Sequence, residues 1–195
     1  MANKADSKEQ KQVAVSLAIL EVIERDGLNG VTHSKVSRKS GVSRAWIYEY
    51  IGKEKSDLIE YAGEVFTSFF ARTKKADRPK TRAELMQRLE EGTEFVFQAV
   101  QANPVIIKLH YRFRGTDTAI GKVIAKYEKY WIGNTSKSLV EILGMSGAEA
   151  SAFAEMIMVL RLGFAFRVVT EVKAGSHLSE SKLAMGLLFR AHFGR

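Results

Sequence analysis

The sequence predicts an all-α protein, and three observations carry that prediction. Apolar residues recur at helical spacing along nearly the whole chain. No run of alternating β-branched residues bounded by turn signals suggests a strand. Only two prolines, Pro79 and Pro104, interrupt 195 residues of which 46% are apolar, a length and composition sufficient for a self-supporting core.

The elements follow in order. A first helix is expected from about Ser7 to Asp26, with Val15, Ala18, Ile19, Val22 and Ile23 as one stripe and Gly27 placed to end it. Two short helices lie within Thr32 to Tyr50. A fourth covers about Lys53 to Thr73, with Leu58, Ile59, Ala62, Val65, Phe66, Phe69 and Phe70 inward. A basic run with Pro79 marks a break before a fifth helix, about Thr81 to Ala102. Asn103-Pro104 restarts the chain, Asn as cap and Pro in the first helical position of a short sixth helix ending near Arg114-Gly115. The seventh spans about Asp117 to Leu143, with Gly133 as a point of disturbance. Ser146-Gly-Ala-Glu149 is a capping box that opens an eighth helix reaching Ala174-Gly175. A ninth covers about Ser179 to Phe193.

Within Thr32–Tyr50, Thr32 and Ser43 each offer an oxygen to the orphan N–H groups of a helix start. Gly41 sits where a turn needs positive φ. Val36, Val42 and Ile47 would lock the two helices together, and Ser37 is small enough for a close crossing. This is the pattern of a helix-turn-helix, which lays its second helix in the DNA major groove. Arg44, Trp46, Tyr48 and Tyr50 around that helix suit phosphate and base contact better than a core.

The charge agrees with such a partner. The net charge is +8, which favours ligands that carry phosphate. Between Leu28 and Lys55 six Lys/Arg face two acids, and the run from Ala71 to Arg82 carries six bases and one acid; an ordinary solvated loop would also explain that second run. The start of the chain, M-A-N-K-A-D-S-K-E-Q-K-Q, lacks the apolar centre of a secretion signal. The most apolar stretch, Phe153 to Val172, is broken by Glu155, Arg161, Arg167 and Glu171, which argues against a membrane span. A cytoplasmic, nucleoid-associated protein is expected.

No catalytic set is visible. There is no cysteine, no P-loop, no G-x-G-x-x-G and no E-x-x-H pair, and His33, His110, His177 and His192 are widely separated. Neither an enzyme, nor a metal, nor a cofactor is expected. The eighth helix is apolar around most of its circumference, from Phe153 and Met156 to Val168 and Val169, which calls for burial on all sides. In a short chain a second copy can supply one side. The ninth helix offers Leu183, Leu187 and Phe189 beside small Ala184 and Gly186 for such a homodimer.

From about Val13 to Ile59 the chain resembles the tetracycline-repressor (TetR) family of transcription regulators. The resemblance rests on the first helix ending at Gly27, on T-x-x-x-V-S-x-x-x-G-V-S from Thr32 to Ser43, on I-Y-x-Y from Ile47 to Tyr50, and on a Lys-Glu pair opening the fourth helix. It implies a helix-turn-helix domain over residues 1–55 and a helical regulatory and dimerisation domain over 56–195. It implies that Thr32, Tyr48, Tyr50 and either Lys53 or Lys55 hold phosphates, and that Ser34, Arg44, Ala45 and Trp46 beside the Ser43 cap read bases. Here Gly52-Lys53-Glu54 comes one residue early and Leu58 one residue late against the family spacing, and Trp46 stands where the family commonly has a small residue. The family reading further implies a palindromic double-stranded operator and a small hydrophobic or amphipathic effector that biases the spacing of two heads. Candidate pocket residues are His110, Tyr111, Tyr127, Trp131, Met156, Leu160, Arg161 and Phe164, with ordinary core packing as the plainer explanation and an ion pair from Arg161 to an acid such as Glu94 as an alternative to an anionic ligand. Action through a protein partner without an effector is the alternative function.

Overall fold

The computed structural model describes residues 7–70, 78–170 and 174–193. The expected Thr73 end of the fourth helix, residues 71–77 of the basic run, Glu171, Val172 and the side chains of Phe69, Phe70, His177 and His192 lie outside the described residues. Among those described there are nine α-helices, a single 3-10 turn at Leu28–Gly30 and no strand. The helices are α1 (Lys8–Asp26), α2 (His33–Ser40), α3 (Arg44–Tyr50), α4 (Lys55–Phe70), α5 (Arg82–Ala102), α6 (Val105–Phe113), α7 (Ala119–Leu143), α8 (Gly147–Thr170) and α9 (Ala174–Phe193).

Side-chain oxygens begin most of these helices. Ser7 and Gln10 form a reciprocal capping box on α1, and Thr32, Ser43, Thr81 and Thr118 accept from the N–H three residues on. Ser146 and Glu149 close the predicted capping box on α8. Three boundaries differ from expectation. α4 starts at Lys55, because Asp57 accepts from the Glu54 N–H and fixes the turn before it. Ala174 and Gly175, expected to end the eighth helix, instead open α9, whose expected start is Ser179, and α8 is described to Thr170. At Asn103-Pro104, Asn103 ends α5 and Pro104 is the cap position of α6, without a side-chain cap bond. α7 runs unbroken through Gly133. A mid-helix glycine costs only about 1 kcal/mol, and buried Ile124 and Leu139 hold the helix on either side of it.

Two clusters make the core. One begins in α1 with Val15, Ile19 and Ile23, takes in Val36, Val42 and Ile47, and continues without a break through Leu58, Phe66, Phe97, Ile106 and Leu109 to Met158 and Leu162. The other joins Leu85 and Leu89 of α5 to Leu139, Phe153, Ile157, Met185 and Phe189. α6 lies against α1, burying Ile106, Ile107, Leu109, His110 and Phe113. The helix-turn-helix is therefore packed on the same apolar mass that fills the body. No helix among the described residues is long and apolar enough to cross a membrane.

Candidate nucleic-acid interface

α2 and α3 form the helix-turn-helix. Gly41 joins them at φ 72°, ψ 2°, a left-handed conformation that a side chain would strain. Val36 and Ile47 are fully buried and Val42 nearly so, so the pair is locked by the three residues expected to do it. Ion pairs from Lys35 to Asp26 at 2.9 Å and from Lys39 to Glu21 at 2.7 Å strap α2 to α1. Arg25 and Lys35 together hold the Asp26 carboxyl far below the ordinary carboxylate range.

Thr32, Ser34, Ser43, Arg44, Ala45, Tyr48 and Tyr50 are all exposed, on the start of α2 and along α3. Arg44 Nη1 donates to Ser34 Oγ at 3.4 Å, which brings two of the expected base-reading residues together across the motif. Tyr48 packs on His33, with ring centroids 4.6 Å apart. His33 Nε2 meets the Gly52 carbonyl at 3.0 Å. His33 thus fixes both the Tyr48 ring and the turn after α3; nothing local in the sequence marks a contact made nineteen positions away. Lys55 opens α4 and its ammonium reaches Asn29 O and Oδ1 at 3.4 and 3.3 Å, whereas Lys53 is exposed in the preceding turn.

Trp46 departs from the expected position. It is half-buried, stacks on Tyr50 at 4.8 Å and 30°, and packs against the core rather than standing free toward a groove. It also lines a groove of about 360 Å³ with Gln10, Lys11 and Ala14 of α1 and with Ser40 to Ser43. A hydrogen bond to Glu49 holds the Tyr50 phenol above its ordinary range.

The expected pocket residues divide. Tyr127, Trp131 and Phe164 are half-buried against the first core cluster, Arg161 lies over Trp131, His110 is buried on α6, and Leu160 is half-buried beside the second cluster. Arg161 is only 5% exposed; it donates to Thr93 Oγ1 and Leu89 O, both at 3.1 Å, and lies 4.8 Å over the Trp131 ring. Burial pushes the Tyr127 phenol up to about 12, against the opposing pull of Arg161. His110 Nε2 and Arg114 Nε share Glu128 Oε1, at 3.1 and 2.7 Å. Met156 does not join this group: it is 37% exposed on the outer face of α8. Tyr111 is exposed as well, packed on Phe166 at 4.8 Å.

Val159 of α8 and Leu183 and Leu187 of α9 are more than half exposed. Phe189 corrects the sequence reading. It is fully buried in the protomer's own core beside Met185, because it lies one position pair round the helix from Leu183 and Leu187. Among the described residues no group of three or more His, Asp or Glu is placed to hold a metal ion.

A helix-turn-helix whose second helix is exposed, set on a helical body with an uncovered apolar face, defines a class of DNA-binding fold. No family model and no curated protein matches the chain. Solved structures do. A candidate fatty acid metabolism regulator from Clostridium perfringens superposes with TM-score 0.64 at 15% identity, over 88% of this chain and 96% of its own. A candidate TetR-family transcriptional regulator from Syntrophomonas wolfei gives 0.64 at 13% identity, over 94% and 96%. The fatty acid degradation regulator FadR from Bacillus halodurans gives 0.62 at 16% identity, over 96% and 97%. The chain has the fold of the TetR-family regulators over nearly its whole length.

Proposed function

We propose that this chain is a DNA-binding transcriptional regulator that acts as a homodimer on a two-fold symmetric operator and releases it on binding a small effector. The observation that carries the reading is the presentation of Arg44, Ser34, Thr32 and Tyr48 on one exposed face by a motif whose hydrophobic lock is complete. Arg44 has the geometry for a bidentate pair with guanine. Thr32, Tyr48, Tyr50 and the lysines 53 and 55 serve the phosphates on either side. Dimerisation uses Leu183 and Leu187 with Met156 and Val159, an apolar surface that a soluble chain covers with a second copy.

An amphipathic effector suits the body. Arg161 supplies a buried cation beside Trp131 and Tyr127, and of the structures of like fold one is a candidate fatty acid metabolism regulator and another a fatty acid degradation regulator. The effector acts by favouring a dimer whose heads no longer match the operator.

The test is binding to genomic fragments over a series of salt concentrations. If each head neutralises three to five phosphates, log K should fall against log salt with a slope of roughly −5 to −9. A slope near zero would remove the phosphate roles. Addition of a long-chain fatty acid should release the fragment where a neutral alkane does not; release by both alike would argue against an anionic head group at Arg161.

A further inference from the structure

We propose that the first turns of α1 belong to the DNA interface, with Lys8 and Lys11 holding the phosphate backbone beside the groove that α3 enters. The inference rests on the DNA-binding reading above and adds a second anchoring point to each head.

Trp46 and Tyr50, one turn apart on α3, meet Lys8 of α1. Trp46 lies on Tyr50 at 4.8 Å, and Lys8 Nζ lies 4.6 Å from the centre of the Tyr50 ring. Tyr50 is 41% exposed, so the stack stands at the surface. Glu49 lies beside the Tyr50 hydroxyl, and the face of the ring serves as the platform. A cation over an exposed aromatic ring is attracted weakly and keeps its charge. Tyr50 therefore orients the Lys8 ammonium without neutralising it.

The groove alongside has one wall from α1, with Gln10 and Lys11, and one from the α2–α3 turn, with Ser40 and Ser43. That turn leads directly into α3. Any strand lying along this groove runs next to the start of the reading helix, and it meets an ammonium, an amide and the Ser43 hydroxyl, groups that bind phosphate oxygens, while the Ser40 hydroxyl already donates to Ser37 O.

The lysines of α2 show the contrast. Lys35 and Lys39 are spent on Asp26 and Glu21 of α1. Among the described residues Lys8 and Lys11 form no ion pair with an acid, and both are at least partly exposed. The groove beside them mixes these donors with apolar Ala14, Val42 and Trp46.

The experiment uses the full chain and a duplex selected by the wild-type protein from a random-sequence pool. Log K against log salt is measured for wild type, Lys8→Gln, Lys11→Gln and Lys8→Arg, with circular dichroism and a melting curve for each. Each Gln variant should reduce the magnitude of the slope by roughly 1.8 per dimer, one contact of about 0.9 in each of two heads. The preferred sequence should not change, and Lys8→Arg should keep the wild-type slope. If both Gln variants keep the wild-type slope, or lose affinity without a change in slope, α1 makes no phosphate contact and the inference is wrong. If the wild-type protein itself shows no salt-dependent binding to any duplex, the DNA-binding reading falls and this inference falls with it.

Discussion

The Arg112 guanidinium on α6 donates to the main-chain carbonyl of Glu24 at 2.7 Å and to that of Ile23 at 3.3 Å, closing the carboxyl end of α1 from the body of the protein. Lys108, one turn earlier on α6, reaches the Glu24 side chain at 3.7 Å. A cation at this end also meets the negative pole of the helix dipole. From there α1 holds α2 through Asp26 and Glu21. A continuous set of polar contacts thus joins the body to the helix-turn-helix.

Arg112→Met should keep the apolar stem and remove the donor. Stability should fall by about 1 kcal/mol, the usual net worth of such a bond at a solvated site. Thermal melting measures this directly. An unchanged midpoint would mean that water replaces the guanidinium without loss.

Phe189 and Leu187 are neighbours in sequence with opposite fates, and two substitutions separate them. Leu187→Glu should leave the protomer folded and shift sedimentation toward monomer. Phe189→Ala should cost about 3–5 kcal/mol of protomer stability. A dimer that survives Leu187→Glu would place the interface elsewhere.

Glu128 gives the stability a definite pH dependence. Burial raises its carboxyl pKa, but the hydrogen bonds from His110 and Arg114 outweigh burial, and the net shift is downward. A carboxyl depressed in the folded state stabilises above its unfolded pKa of about 4.3, and that contribution disappears as pH falls through the folded value. Glu128→Gln should therefore melt lower than wild type at neutral pH, with the difference shrinking in acid. Asp26 titrates in both proteins and cancels in the comparison. A difference that stays constant from neutral to acid pH would show that the carboxylate charge is not what holds α6 to α7.

Trp46 can be resolved by substitution too. Its packing on the core and on Tyr50 predicts that Trp46→Ala lowers the melting midpoint, and that Trp46→Phe largely restores it. Arg44→Ala, by contrast, should leave melting unchanged and cost about 1–3 kcal/mol per half-site at one guanine-containing position. If Trp46→Ala changes base preference with no change in melting, the indole reads DNA directly.

These cases show what the residues alone reveal. Thr32, Gly41, Ser43 and the lock of Val36, Val42 and Ile47 were legible because capping and turn chemistry act within a few residues. Ser146 and Glu149 were legible for the same reason. Periodicity marks both Leu183/Leu187 and Met185/Phe189 as stripes of α9, but it cannot tell which stripe meets the protomer's own core. The same limit hid the turn of Met156 to the surface and of Trp46 toward α1. His33 on Gly52, Lys8 on Tyr50 and Arg112 on Glu24 join residues far apart in sequence, and no local rule brings them together.

The central claim is that two copies of this chain read DNA together. The most direct measurement is sequencing of duplexes selected from a random pool by the full-length protein. The account predicts a two-fold symmetric consensus whose half-sites contain a guanine and lie about one helical turn apart, or slightly more. Recovery of a single unrepeated half-site, or of no consensus from a folded and dimeric protein, would contradict it.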